Sequence, residues 1–483
     1  MTQDAAQFAP FAQRMADEGL PAIFIAHFAH YYEKLRRGDD GLFAERDIRP
    51  VRSLDNAERL APRLTAVGQE AIRRTVIIKL NGGLGTSMGL TGPKSLLVVK
   101  EGLTFLDIIA RQAVEIGAPL LLMNSFATDA ASVAVVEQYP GLRHDLPLSF
   151  CQHKQPKIDA ATFAPATWPD DRELEWCPPG HGDLYTALVT SGMLDRLLRA
   201  GYEYAFVSNA DNLGAVLDPA ILGYMADKQL PFLMEVADRT TADRKGGHLA
   251  RRPDGGLLLR EIAQCPADDL LAFQDIERHR YFNTNNLWLH LPTLRATLAA
   301  NNNELDLPMI RNRKTVDPRD PDSTPVYQLE TAMGSALAVF KGAEAIRVPR
   351  ARFAPVKKTD DLLAVRSDAY QLTRDFRVVL ARERRGRPPA VELDSSFYRL
   401  VDDLDCRFPA GPPSLRECDR LRVEGAFEFG PGVVVRGDVT FRNTSGRCVA
   451  VPRGLTVTDA VWPGEETASS LLPEDDGLKA PAL

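Results

Sequence analysis

The sequence predicts an α/β protein: a mixed, mostly parallel sheet with helices on both faces, followed by a smaller carboxyl-terminal module of short β rungs. Three observations carry this. Short apolar, β-branched runs alternate with stretches of helical periodicity from about residue 74 to 380, the pattern of a sheet built from βαβ units. Glycines stand where helical stretches end, as at Gly117 and Gly201, the usual helix terminators. After residue 380 the text changes to very short β segments punctuated by glycine, which resembles the rungs of a β-helix.

Taken in order, residues 1–70 read as an amino-terminal helical segment, amphipathic in PAIFIAHFAHYYEKLRR. The run RTVIIKL (74–80) is a strand. LTFLDIIARQAVEI (103–116) places apolar residues at helical spacing, and PLLLMNSF (119–126) is the next strand. A helix over 184–200 leads into YAFVSNAD (204–211), and PFLMEVAD (231–238) and NTNNLWLHL (283–291) are further strands. These elements make one domain over 71–380. RERRGRPPAVEL opens a second, 381–463, whose text LRVEGAFEFGPGVVVRGDVTFRN fits β-helix rungs, with a small sandwich as the rival arrangement. The last stretch, 464–483, is polar, acidic and proline-containing, and we expect it to be disordered.

Of the 483 residues, 45% are apolar and 25% charged, ordinary for a globular enzyme. The net charge of -7 argues against a nucleic-acid-binding surface. None of the six cysteines, Cys151, Cys177, Cys265, Cys406, Cys418 and Cys448, sits in a CxxC pair, which argues against structural zinc. No basic leader or run of 18 apolar residues is present, so a cytoplasmic protein is expected.

The richest stretch is NGGLGTSMGLTGPKS, residues 81–95, directly after the first strand. Five glycines, Gly82 to Gly92, fall within eleven residues. A strand, a glycine-rich turn and then a helix let backbone N–H groups approach one anion closely. A Walker A loop fails in register, because Pro93 separates Gly92 from Lys94. The dinucleotide fingerprint begins at Gly83 and Gly85 but meets Met88 at its third glycine position. The spacing to Gly89 gives a variant of it, so this loop alone leaves a reductase, a flexible turn and a phosphate cradle all open.

The loop NGGLGTSMG followed by GPKS resembles the signature of the eukaryote-type UTP–glucose-1-phosphate uridylyltransferase (UDP-glucose pyrophosphorylase) family. The resemblance continues in order through FCQHKQPKI (150–158), WCPPGHGDLYTAL (176–188), FVSNADNLGAVLD (206–218), MEVADRTTADRKGGHLA (234–250), REIAQCP (260–266), YFNTNNLWLHL (281–291), VYQLETAMGSAL (326–337) and VPRARFAPVKKTDDLL (349–363). So many ordered blocks do not agree by chance.

The resemblance implies a Rossmann-like nucleotidyltransferase sheet, a carboxyl-terminal β-helix domain often used for self-association, and a homo-oligomer as one possible state. It implies UTP and glucose 1-phosphate as substrates, with Mg²⁺. The attacking phosphate monoester has a second pKa of about 6, so the reaction needs cations and positioning more than a base. By similarity, Leu80, Asn81, Gly82 and Gly83 wrap the nucleotide, and Lys94 faces its outer phosphates. Gln152 reads the uracil edge, and Gly180 lies against the base. Asp211, which ends the strand AFVSNAD, binds nucleotide and metal; the family usually has serine where Ala210 stands. His181, Asn209, Asn283 and Glu330 meet the sugar phosphate, and Lys357 is the catalytic phosphate contact. Lys358 follows directly, so the register between the two lysines is open. Plainer roles remain for Asp211 and Glu330 as helix or turn caps, for His181 as a bonded loop histidine, and for Lys245-Gly246-Gly247 as a turn. Rival functions are a pyrophosphorylase for another sugar 1-phosphate (N-acetylglucosamine or galactose), an NADP-linked reductase, and a non-catalytic nucleotide sensor.

Overall fold

The computed structural model describes residues 3–142 and 145–464. These form two compact units. One comprises the chain up to Gly83 together with Leu106–Ala354; the other comprises Leu84–Phe105 and the chain from Pro355 onward. The linear reading divides instead at 70 and 380. The segment from 465 to 483, expected to be disordered, lies outside the described residues.

The first unit is built on an eleven-stranded sheet. Its main path uses β1 (Asp55–Asn56), β2 (Thr75–Asn81), β3 (Leu120–Asn124), β4 (Ser149–Cys151), β5 (Tyr204–Asn209), β6 (Phe232–Asp238), β7 (Tyr281–His290) and β8 (Glu344–Arg347). In space the order is β1-β8-β6-β7-β5-β2-β3-β4. β7 runs antiparallel to both neighbours, and the other five pairings are parallel. Arg49–Pro50, His248–Arg251 and Leu257–Arg260 extend the sheet with antiparallel pairings.

The alternation along β2 sorts its side chains to opposite faces. Val76 and Ile78 join a core with Leu188, Met193 and Leu197 from the helices on one side. Ile77 and Lys79 face Ile109, Ala113 and Ile116 of the helix Phe105–Ile116 on the other. Being buried on both faces explains why this strand reads as a near-continuous apolar run. The lone lysine in it is therefore an exception that needs partners.

Several elements differ from the sequence expectation. The amino-terminal segment is helical at Gln3–Asp17, Ala22–Arg36 and Pro62–Ile72, with short turns and strands between the second and third. Phe11, Phe24, Phe28 and Tyr32 from the first two helices pack with Ile158, Met309 and Leu329, and burying each such side chain contributes about 1.5–3 kcal/mol. The helix expected over 184–200 is two helices, Leu184–Thr190 and Met193–Arg199, because Gly192 adopts a left-handed conformation (φ 68°) between them. Asp211 lies two residues past the end of β5 rather than inside it. Among the described residues, no helix is long and apolar enough to cross a membrane.

In the second unit, Lys100 Nζ caps the helix Thr359–Arg366. It donates to Val365 O, Arg366 O and Ser367 O at 3.2, 3.3 and 2.5 Å, a cation satisfying the end of a helix dipole. Arg366 in turn donates to Val98 O at 2.9 Å. These bonds tie residues 84–105 to a stretch more than 250 positions later, a pairing no local pattern encodes. Further along, Ala390–Leu393, Ser414–Glu424, Val434–Arg442, Thr456–Thr458 and Val461–Pro463 pair only in parallel, as do Phe427–Phe429 and Val449–Val451. The step between partners is about one short coil: Leu421 opposes Val439, and Phe441 opposes Trp462. Inward-facing Leu421, Val439, Phe427, Phe429 and Phe441 are buried.

Candidate active site

The parallel strands β5, β2, β3 and β4 bring their carboxyl ends to one edge of the first unit, where open α/β sheets bind ligands. Asn209 pairs with Leu80, Asn81 with Asn124, and Asn124 with Cys151. The residues just past these ends are Gly82 and Gly83, Gln152 and Asp211. The ladder continues into the loops: Ala210 N donates to Leu80 O at 3.0 Å and Gln152 N to Asn124 O at 2.8 Å. Of the nucleotide-binding residues expected from sequence, Leu80, Asn81, Gly82, Gly83, Gln152 and Asp211 therefore share one row of strand ends, together with Asn209 from the expected sugar-phosphate set.

Gly82 lies against Gln152, so closely that a Cβ there would stand 2.8 Å from Gln152 Oε1. Ser125 Oγ donates to Gly82 O at 3.0 Å, fixing the loop from the β3 side. Asn81 is buried, and its amide donates to Asn124 Oδ1 and Ser132 Oγ, both at 2.8 Å. Its side chain therefore braces the loop. A ligand beyond would meet Gly82, Gly83 and the Gln152 amide.

A second cluster gathers the sugar-side candidates His181, Glu330 and Asn283 together with Gly180, which is expected against the base. Gly180 has φ 82° and packs on Glu330 and Thr331, where a Cβ would come within 3.0 Å of Glu330 Cβ. Met333 N donates to His181 Nδ1 at 2.9 Å. An accepting Nδ1 puts the proton of neutral imidazole on Nε2, and burial holds the ring neutral, its pKa lowered to about 4. Glu330 Oε1 accepts from Asn312 Nδ2 at 2.9 Å, with Lys314 Nζ 3.9 Å away. Asn283 N donates to Gly247 O at 3.0 Å, and its amide donates to Asn285 Oδ1 at 2.8 Å. Gly334, in the turn Met333–Ala338 that also holds His181, packs on Asn283 Nδ2. His181, Glu330 and Asn283 are thus gathered around one stretch, Glu330–Gly334, and the Lys245-Gly246-Gly247 loop hangs on Asn283.

Lys94 and Lys357 belong to the second unit. Lys94 opens the short turn Lys94–Leu96 after Pro93, and the loop folds back so that a Cβ on Gly85 would lie 3.3 Å from Lys94 Cβ and Cγ. Lys357 and Lys358 are both exposed, and both backbone N–H groups donate to Asp361 Oδ2, at 2.8 and 3.0 Å.

Sequence reasoning overlooked two groups of residues. His153, next to Gln152, takes its backbone N–H and Nδ1 to Asp183, at 2.7 and 2.8 Å, and stacks on Phe24 at 4.1 Å between ring centroids. This joins the Gln152 turn to the His181–Asp183 turn. The other is a buried set of charges, Lys79, Glu235 and Arg352, beneath the strand ends. Lys79 Nζ donates to Ser208 Oγ at 2.7 Å and Ala215 O at 2.8 Å. Burial, followed by the nearby Arg352 charge, pushes its pKa down to about 7. A single lysine or glutamate within TVIIKL or FLMEVAD is the sequence signal for such a set, since a buried charge demands partners.

The sequence profile described as UTP--glucose-1-phosphate uridylyltransferase matches residues 23–436. A probable UTP--glucose-1-phosphate uridylyltransferase of Schizosaccharomyces pombe is 39% identical over 405 residues, 82% of this chain and 79% of its own. The Solanum tuberosum enzyme of that name is 40% identical over 407 residues, covering 82% and 83%. Among solved structures, a UDP-glucose pyrophosphorylase mutant from Leishmania major in complex with UDP-glucose superposes with a TM-score of 0.88 at 43% identity, covering 95% of this chain and 99% of that one. A Trypanosoma brucei UDP-glucose phosphorylase gives 0.87 at 44%, covering 95% and 100%. With its fold, its motif order and most of its length matched, the chain belongs to the UTP–glucose-1-phosphate uridylyltransferase family of nucleotidyltransferases.

Proposed function

We propose that this protein transfers the uridylyl group of UTP to glucose 1-phosphate, giving UDP-glucose and pyrophosphate. The observation that carries the reading is the single row of parallel strand ends presenting Gly82, Gly83, Gln152, Asn209 and Asp211. An oxygen of the sugar phosphate attacks the α-phosphorus of UTP, the new O–P bond forms, and the bond to the β-phosphate oxygen breaks as pyrophosphate leaves. The nucleophile is already largely dianionic at neutral pH, with a second pKa of about 6, so no side chain has to remove a proton. Neutral His181 is suited to donate from Nε2 to a sugar-phosphate oxygen, not to act as a base.

Gln152 offers both a donor and an acceptor to the uracil edge, and Gly82 leaves room for that amide beside it. Asn209, Asn283 and Glu330 suit sugar hydroxyls. Lys94 and Lys357 supply positive charge to the phosphates, which stabilises the transition state where charge moves onto the leaving group. Mg²⁺ fits the same reading. Among the described residues no three His, Cys, Asp or Glu side chains converge to hold a metal unaided, and Mg²⁺ is content with one carboxylate plus phosphate oxygens. Asp211 would be that carboxylate, and bound Mg²⁺ supplies charge neutralisation. We read the parallel carboxyl-terminal stack as a short β-helix suited to self-association through its open edges.

The test is pyrophosphate release with UTP, glucose 1-phosphate and Mg²⁺, repeated with ATP, CTP and TTP and with N-acetylglucosamine and galactose 1-phosphates. The expected result is release only with UTP and fastest with glucose 1-phosphate. Binding of UTP without pyrophosphate release would make the protein a sensor, and faster turnover of another sugar phosphate would reassign the substrate.

A further inference from the structure

Beneath the row of strand ends lies a polar network whose members all lead to one turn. Glu235, on β6, is fully buried and accepts four hydrogen bonds: from Arg352 Nε at 2.7 Å and Nη2 at 2.6 Å, from Trp288 Nε1 at 2.9 Å, and from Asn286 Nδ2 at 3.0 Å. Burial opposes the Arg352 charge, and the facing Glu235 more than restores it, so the guanidinium stays charged.

From this pair the bonds run to residues 211–216. Arg352 Nη2 also donates to Val216 O at 2.9 Å, and Arg352 O accepts from Asn212 Nδ2 at 3.1 Å. Asn212 Oδ1 accepts from Ala354 N at 3.0 Å and from Gly214 N at 3.2 Å. Asn286 Oδ1 receives the Asn212 amide at 3.2 Å. Gly214 lies so close to the backbone of Ala351 and Arg352 that a Cβ would collide with it. On the β2 side, Lys79 grips the same turn at Ala215 O and braces β5 at Ser208. The turn is therefore clasped from β2, from β7 and from the 351–354 strap, and Asp211 is its first residue.

A buried ion pair is an inefficient way to gain stability, because desolvation offsets most of the attraction. A well-packed Leu or Met on β6 would serve the core as well. What an apolar pair cannot supply is a directional clasp. We propose that Glu235 and Arg352 are positioning residues that hold the 211–216 turn so that Asp211 is presented in one fixed orientation to the metal and the UTP phosphates. This rests on the uridylyl-transfer reading. The planar guanidinium matters here because one nitrogen bridges Glu235 Oε1 and Val216 O, which a lysine ammonium cannot do in the same plane.

The test compares wild type with Arg352→Met, Arg352→Lys, Glu235→Gln and Asn212→Ala. Amide hydrogen exchange of residues 211–216 is read on the substrate-free protein, beside kcat, KM for UTP and the half-saturating Mg²⁺ concentration. Arg352→Met is expected to speed exchange of the turn, to raise the Mg²⁺ requirement and to lower kcat by roughly 10- to 100-fold, with KM for UTP changed little. Arg352→Lys recovers part of the loss. Should the Arg352 and Glu235 variants fail to fold, Asn212→Ala, which leaves the ion pair intact, gives the same readouts. Unchanged exchange and Mg²⁺ requirement in a folded variant, or a loss confined to thermal midpoint, overturns the proposal. Exchange needs no turnover, so it judges the clasp even if wild type releases no pyrophosphate, an outcome that sinks only the uridylyl-transfer reading.

Discussion

The rim of the first unit's strand ends and the floor beneath it are made of opposite materials. The rim is glycine and neutral amide: Gly82, Gly83, Gln152 and Asn209, with one carboxylate at Asp211. The floor is charge locked away from water: Lys79, Glu235 and Arg352, satisfied by Ser208, Asn286, Trp288 and the 211–216 turn. The rim can adapt to a ligand because little of it is fixed by charge. The floor cannot move without unpairing buried ions. The contrast teaches that an edge of glycine and amide is set on a floor whose rigidity comes from paired charge.

The contrast breaks most sharply if chemistry and stability fail to separate. Asp211→Asn, Lys94→Ala and Lys357→Ala are each expected to cut turnover about 100- to 1,000-fold while the thermal midpoint stays near wild type. Pyrophosphate release beside a melting curve checks this, and a loss of folding in step with activity would assign these residues to the structure instead. On the floor the order reverses. Glu235→Ala leaves the Arg352 guanidinium with only Asp218 Oδ2, 3.9 Å away, as a carboxylate partner, and should cost about 3–5 kcal/mol in a urea titration. A cost under 1 kcal/mol would mean that water reaches the pair.

At the rim, Gln152→Ala should raise KM for UTP about two- to tenfold and narrow the preference for UTP over CTP, leaving urea stability within about 0.5 kcal/mol. An unchanged UTP-to-CTP ratio would remove Gln152 from base reading. The histidines give an effect that is read on stability alone. His181 is held near 4, and His248, His279 and His290 below their ordinary 6.5, with burial the leading cause in each. Between those values the unfolded chain binds more protons than the folded one, so stability rises with pH. The contribution is complete above about 6.5 and is lost as pH falls toward 4. Urea midpoints measured across that window should decline on acidification, and a flat profile would show these rings to be hydrated.

Much of this was legible in the sequence because it is local. Glycines and amides cluster directly after an apolar strand, and Asn209 ends and Asp211 follows a strand whose pattern is plain. The floor was not legible, because Glu235 and Arg352 are 117 residues apart: Glu235 alone looks like a stray charge in an apolar run, and Arg352 like one more cation beside Arg350. Distance also hid the pairing of residues 84–105 with the chain after Pro355, which depends on Lys100 meeting a helix end far downstream. The break at Gly192 was missed because helical periodicity continues across it, while one left-handed residue is enough to stop the backbone ladder. The antiparallel course of β7 has no signature in a strand buried on both faces.

The most direct test of the account follows the oxygens. Glucose 1-phosphate carrying heavy oxygen in its phosphate is incubated with UTP, Mg²⁺ and the protein, and the products are weighed by mass spectrometry. Attack by the sugar phosphate on the α-phosphorus predicts that all the label is retained in UDP-glucose and none enters pyrophosphate. Label in the released pyrophosphate, or none in a nucleotide sugar, would contradict it.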